Sequence, residues 1–404
     1  MKPITVLSLE QALSLPSGTA RFVHEGSRVI RLEATPRGKG RPGDPNRYVG
    51  PPVDHADRHA YFFGPNAGKE AITLNLRTGR GRELLLDLIR KLPVDVFAIN
   101  TLPRRYEELG VDYETLSAAR PQLIWVGISA YGPGFPSAPG YDPALQAELG
   151  YMDVTGDPAG TPTLCGVPMV DLKAGDEMFA QVCLALAERA EAGRGKRIDI
   201  SMAQAATSWL MTMIPLLDLG TSGVPVGRFG NEHREFVPVN VYPCQGGHLY
   251  LAIGSDAQWD RLCSLPLFAA LHRPERNTNE GRADDREAIH AELAGVTAAR
   301  PLDELLGLLR DAGLVVAPVN PVSRVRDLDT IAPHLLRTQR ASGVPLHLAP
   351  PAVDTPHLDS LDHELNPPPR YGEHTQPILS EIGLDSSEIQ RLLEDGVAFF
   401  GAEV

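Results

Sequence analysis

The chain has 404 residues, long enough for two domains or one large domain with an insertion. Its 43% hydrophobic and 22% charged residues are the mixture of an ordinary globular protein, and the net charge of −13 argues against nucleic acid as a main partner. No stretch is long and apolar enough to span a bilayer and the first residues carry no secretion signal, so the expectation is a cytoplasmic protein with no membrane partner.

In chain order, residues 4–9 and 29–33 read as strands, with a turn marked between them by Pro16-Ser-Gly18. Residues 36–53 are too rich in Gly and Pro for a core element. A strand at 72–76, an amphipathic helix at 79–92 and a strand at 94–99 follow. Next come a helix at 113–119 capped by Asp112 and a strand at 123–129. Strands alternating with helices imply a doubly wound, largely parallel sheet, hence an α/β fold. Apolar residues at helical spacing from Met178 to Ala187 predict a long helix ended by Gly193, with Asp171 at or just before its start. There the helix dipole is expected to favour the ionised carboxylate.

Residues 198–200 form a short strand, and Ser201-Met-Ala-Gln204 starts a helix reaching about Ile214, where Pro215 should end or kink it. Gly, Pro and Asn punctuate 221–238, which reads as a linker. The domains expected are a large one at 1–220, a smaller α+β one at 221–330, and 331–404 returning to the large one. In the smaller domain, 257–263 and 302–311 read as helices, 273–286 as a polar span and 314–319 as a strand. Asp385-Ser-Ser-Glu388 is a capping box opening a last helix, whose Ile389, Leu392 and Leu393 are expected to need a partner surface to cover them.

Several common chemistries are missing. There is no Gly-x-Gly-x-x-Gly after a strand, no phosphate-binding Gly-Lys-Ser/Thr loop and no Gly-x-Ser-x-Gly. Cys165, Cys183, Cys244 and Cys263 are far apart and read as reduced thiols. His55 and His59 flank a Gly/Pro loop and read as surface residues, so no metal is expected. What stands out is Asp171 on an apolar approach, Asn100 at a strand end, and the Gly/Pro loop from Ser129 to Tyr141. Taken singly, each is a helix cap or a turn.

Taken together they form a series. It runs Val29-Ile-Arg-Leu-Glu33, Gly43-Asp-Pro45, Asn66-x-x-Lys69-x-x-Ile-Thr-Leu-Asn-Leu76 and Asp95-Val-Phe-Ala-Ile-Asn100. It continues through Gly140-Tyr-Asp142 with Gln146, Asp171-x-x-Ala-Gly175 and Gly193-Arg-Gly195 to Gly372-Glu-His-Thr375. This order resembles the class III coenzyme A transferases, the carnitine and formyl-CoA transferase family of CaiB/BaiF type. The resemblance implies a Rossmann-like large domain built from both chain ends, a smaller domain, and an interlocked dimer. It implies acyl-CoA and a free carboxylic acid as substrates, coenzyme A as the group moved, and Asp171 as the nucleophile.

Tyr141 is the second candidate catalytic residue. Ala12, Leu13, Arg31, Arg37, Lys39, Lys69, Leu74, Asn100, Thr101 and Arg105 are the candidate coenzyme contacts, with Arg31, Arg37 or Lys39 meeting phosphate. The family pattern is broken at Thr101, Ala34, the Ala12-Leu-Ser segment and Gly230-Asn-Glu-His233. Residues 129–141 or 230–233 are the expected lid. An acyl-CoA racemase would need a His near Tyr141, and none lies between His59 and His233. A scaffold subunit of a hetero-oligomer is the other alternative.

Overall fold

Six apolar runs form a single parallel sheet: β1 (Thr5–Leu9), β2 (Arg28–Glu33), β3 (Glu70–Thr73), β4 (Val94–Ile99), β5 (Ile124–Ser129) and β6 (Arg197–Ser201). Their order is β3-β2-β1-β4-β5-β6, all pairs parallel. Strands of such a sheet are covered on both faces, which is why 94–99 and 124–129 are nearly continuous hydrophobic runs. The order reverses between β1 and β4, opening a crevice at their carboxyl ends where ligands bind in doubly wound folds. The computed structural model describes residues 2–38, 40–219 and 226–400.

The chain divides into two units, Met1–Leu149 with Gly166–Asp218 and Asp329–Val404, and Gly150–Cys165 with Leu219–Leu328. Residues 150–165 thus leave the large unit to which the sequence reading assigned them. The first unit also holds a small sheet of β10 (Leu336–Gln339), β11 (Pro345–Leu348) and β12 (Glu364–Leu365). In the second unit β7 (Val239–Cys244), β8 (Gly247–Ala252) and β9 (Val315–Pro318) pair antiparallel around a core including Tyr242, Trp259, Leu262, Ile289 and Leu309.

The strand expected at 72–76 runs instead over Glu70–Thr73, and two helical expectations change. The segment with Pro16 and Gly18 is a helix, Ser14–His24, not a turn. Pro16 falls in its first turn, where a missing N–H costs nothing. Gly18 lets this helix cross the long Met169–Ala192 helix backbone to backbone, since a Cβ there would stand 2.6 Å from the Gly175 carbonyl oxygen. The polar span 273–286 is also ordered: Arg276 and Arg282 are fully buried, Arg276 on Glu292 and Asp285, and Arg282 on Asp256. Ion pairing seats this polar span in the packed unit. Finally, the helix from Met202 stops at Thr207, and Pro215 stands in the first turn of another, Ile214–Leu219.

The last helix, Ser386–Glu394, has its capping box, with Asp385 accepting from the Glu388 N–H and Glu388 accepting from the Asp385 N–H. Ile389 and Leu392 are buried in the core of the first unit with Leu84, Leu88 and Phe97. Their covering surface is therefore the chain's own sheet layer.

Candidate active site

The Met169–Ala192 helix begins two residues before Asp171, so Asp171 lies within the first turn rather than at a cap. The residue at the N-cap is Pro168, which offers no side-chain acceptor. Asp142, the first residue of the helix Asp142–Glu148, meets the need instead. Its Oδ2 accepts the N–H of Val170 at 2.7 Å and of Asp171 at 3.1 Å. These N–H groups are therefore not open to a substrate oxyanion.

The Asp171 carboxylate is half-buried, and among the described residues nothing donates a hydrogen bond to it. Burial, and then the negative charge of Asp142, push its pKa up to about 7. The expected stabilisation of the ionised form by the helix start is outweighed, because the nearest N–H groups are directed at Asp142.

At the switch point, Asn100 ends β4 and clamps the loop after β1. Its Oδ1 accepts from the Gln11 N–H at 3.0 Å and its Nδ2 donates to the Gln11 carbonyl at 2.8 Å. The next residue, Ala12, has a left-handed backbone (φ 59°) that a side chain disfavours, and its N–H is held by Asp44 at 3.0 Å. Behind this loop lies a buried ionic cluster in which Glu10, Glu33 and Asp44 face Arg31, Arg47 and Lys69. Arg31 donates to Asp44 at 2.9 Å and Lys69 to Glu10 at 2.8 Å.

Arg31 and Lys69 therefore cannot meet a phosphate; both side chains are wholly covered, and they hold the loop from beneath. Burial lowers Lys69 to about 8 even against the attraction of Glu10, and Glu33 is held at about 2 by Arg47 and Arg31 despite its own burial.

Two adjoining cavities open along the strand ends. The first, of about 160 Å³, is lined by Leu74, Asn100, Thr101, Arg37 and Arg105 among others. The second, of about 490 Å³, contains Ala12, Asn100, Thr101, Arg77, Arg104, Arg105, Tyr141 and Asp171. Gln11, Asn100, Thr101 and Arg105 line both. Of the expected coenzyme contacts, the structure thus gathers Ala12, Arg37, Leu74, Asn100, Thr101 and Arg105. Leu13 lies at the helix N-cap outside both linings, and Lys39 falls outside the described residues. Tyr141 is 74% exposed, its ring at the mouth of the Asp171 cleft.

The arginines form a positive rim. Burial and the like charges of Arg77 and Arg105 lower the pKa of Arg37, with Glu108 the opposing charge. Clustered cations of this kind favour a multiply charged anion. Sequence reasoning missed Arg77 and the capping role of Asp142. The signal for Asp142 was present, as an Asp-Pro pair opening a helix with Gln at the fourth residue on. Among the described residues, no group of three or more His, Cys, Asp or Glu is placed to hold a metal, and no helix is long and apolar enough to cross a membrane.

The fold is a doubly wound, Rossmann-type α/β sheet with a half-buried carboxylate and several arginines among the residues lining the cavities at its strand ends. The model of CoA-transferase family III matches residues 1–375, and the chain belongs to that family. It is similar to an acetyl-CoA:oxalate CoA-transferase of Acetobacter aceti, 32% identical over 81% of this chain and 83% of that one. It is similar also to a succinate–glutarate CoA-transferase of Agrobacterium fabrum, 30% identical over 94% of each. The solved structure of a CaiB/BaiF family protein from Brucella suis superposes with a TM-score of 0.79, at 30% identity, over 94% of this chain and 98% of that one. The protein is thus a CoA-transferase, with acyl-CoA as a substrate.

Proposed function

We propose that this CoA-transferase passes coenzyme A from an acyl-CoA to a free carboxylic acid through covalent intermediates on Asp171. The observation that carries this reading is Asp171 itself, a carboxylate to which nothing among the described residues donates a hydrogen bond, facing the arginine-rimmed cleft from the first turn of a long, packed helix. A carboxylate with its pKa near 7 is about half ionised at neutral pH and a stronger base than an exposed one.

An oxygen of ionised Asp171 attacks the thioester carbonyl; the carbon–sulfur bond breaks, leaving an aspartyl-acyl anhydride and CoA thiolate. The thiolate attacks the Asp171 carbonyl carbon and the donor acid leaves as a carboxylate, giving an aspartyl-CoA thioester. The acceptor carboxylate attacks that thioester and expels the thiolate again. The thiolate then attacks the acyl carbon of the new anhydride, which frees Asp171. No net proton is consumed. Water must be excluded while the anhydride exists, and the segment 130–141, with Tyr141 at the cleft mouth, is the lid we assign.

The phosphates of the coenzyme are assigned to Arg37, Arg77 and Arg105, and its thioester end to the Asn100–Thr101 strand end. Short acids, including dicarboxylates like those named for the two relatives, are the substrates we assign, with Arg104 placed to hold a second carboxylate. The working form is proposed to be the interlocked homodimer that the family resemblance implies, and exposed Trp209, Met211 and Leu217 are apolar surface such a dimer would cover.

Trapping tests the mechanism. Hydroxylamine or borohydride added with acyl-CoA should modify Asp171, located by peptide mass spectrometry. A label on another residue, or exchange retained by Asp171→Ala, would refute it. Sedimentation at working concentration tests the dimer, and a monomer there would remove that part.

A further inference from the structure

Asp142 is buried, 4% exposed, and its carboxylate joins two elements that are distant in sequence. Oδ2 accepts the N–H groups of the second and third residues of the long helix, Val170 and Asp171. Oδ1 accepts from Gln146 Nε2 at 2.7 Å, and the same Nε2 lies 3.3 Å from the Val167 carbonyl oxygen. Asp142 and Gln146 are four residues apart on one helix and so share a face. The remaining N–H groups of the first turn are taken locally, Met169 by the Val167 carbonyl and Leu172 by that of Pro168. The start of the long helix is therefore closed by a clamp from another helix.

We propose that Asp142 is a positioning residue for the reaction at Asp171, its carboxylate fixing the first helical turn and hence the direction in which the Asp171 side chain enters the cleft. This rests on Asp171 being the nucleophile. Two observations support it independently. The clamp engages the backbone of the reacting residue itself, so loss of Asp142 moves Asp171 directly. Asp142 is also a charge that acts on the Asp171 carboxyl, second to burial, and raises its proton affinity. The other groups with titratable or charged side chains around that cleft are Arg77, Arg104, Arg105, Glu108 and Tyr141, and Lys173 two residues along is paired with Glu177 at 2.8 Å. A clamp that were merely structural would stabilise the helix without setting the pH at which the reaction begins.

The test compares Asp142→Asn and Asp142→Ala with wild type, after wild type has been trapped with acyl-CoA and borohydride to locate the adduct. Asn retains an acceptor for the two N–H groups but no charge. It should fold with a melting temperature near that of wild type, while the acid limb of kcat/KM moves from near 7 toward the usual carboxylate range. Ala removes the clamp, and a misplacement of about 1 Å at a reacting group costs on the order of 100-fold in kcat. That loss is expected with KM for acyl-CoA little changed.

If the wild-type adduct is on Asp171 but Asn leaves the acid limb in place and Ala keeps kcat within about twofold, Asp142 is a structural cap and the proposal falls while the nucleophile stands. If the wild-type adduct lies on another residue, both fall. Should Ala fail to fold, the acid limb of the Asn variant decides.

Discussion

Replacing Asp171 with Asn should make the protein more stable at alkaline pH while abolishing exchange. The folded-state carboxyl is raised from an ordinary 3.8 to about 7 by burial and by Asp142. Between those values the unfolded chain has released the proton and the folded chain still holds it, so wild-type stability falls as pH rises through that window and levels off above 7. At about 1.36 kcal/mol per pH unit, the cost of ionising Asp171 in the fold is slightly above about 4 kcal/mol before screening. Partial exposure and salt reduce it, leaving about 2 to 4 kcal/mol as the gain expected for Asn at pH 8.

The assay is thermal or denaturant unfolding of both proteins at pH 4, 6 and 8 in one buffer series. The gap should be widest at pH 8 and close as pH falls toward 4. Exchange by the variant should be lost at every pH, since an amide is no nucleophile here. Equal stability at pH 8, or a gap that does not change with pH, would show that Asp171 is not held protonated toward neutrality. A stabilised, inactive variant is the signature of a group strained for chemistry.

Other outcomes follow from the same geometry. Arg37→Ala with Arg77→Ala should raise KM for acyl-CoA by about tenfold or more with kcat little changed, because charge-assisted phosphate contacts are lost before chemistry; an unchanged KM would move the phosphate site elsewhere. Gly175→Ala places a Cβ 2.6 Å from the Ser14 carbonyl oxygen and should destabilise by about 1–3 kcal/mol, reading as a lower unfolding midpoint, since overpacking forces the two helices apart. Lys69→Met leaves Glu10 buried beside Arg31 without its closest cation and should cost about 3–5 kcal/mol in denaturant unfolding. The rate of exchange as kcat/KM should rise through pH 7 as Asp171 ionises, and a profile flat from pH 5 to 9 would contradict the raised carboxyl.

The sequence alone determined the strands of the Rossmann-like unit and its helices Gly79–Lys91, Tyr113–Ala119, Met169–Ala192 and Ser386–Glu394, because buried parallel strands are apolar runs and these helices carry a clear 3.6-residue pattern or a local cap. The Asp112 cap, the Ser201 cap and the capping box at Asp385 were legible for the same local reason: each is satisfied within three residues. The family order and the candidacy of Asp171 were also written in the chain. Tertiary structure decided what depends on distant partners. Arg31 reads in sequence as a phosphate ligand and Lys69 as a coenzyme contact, and only the approach of Glu10 and Asp44 turns them into a buried support for the Gln11–Ala12 loop. Gly18 reads as a turn until Gly175 is brought against it. The proton affinity of Asp171 follows from burial and from a carboxylate 29 residues earlier in the chain, and neither acts through local sequence. Charge, close approach and solvent exclusion depend on distance in space, which the order of residues does not state.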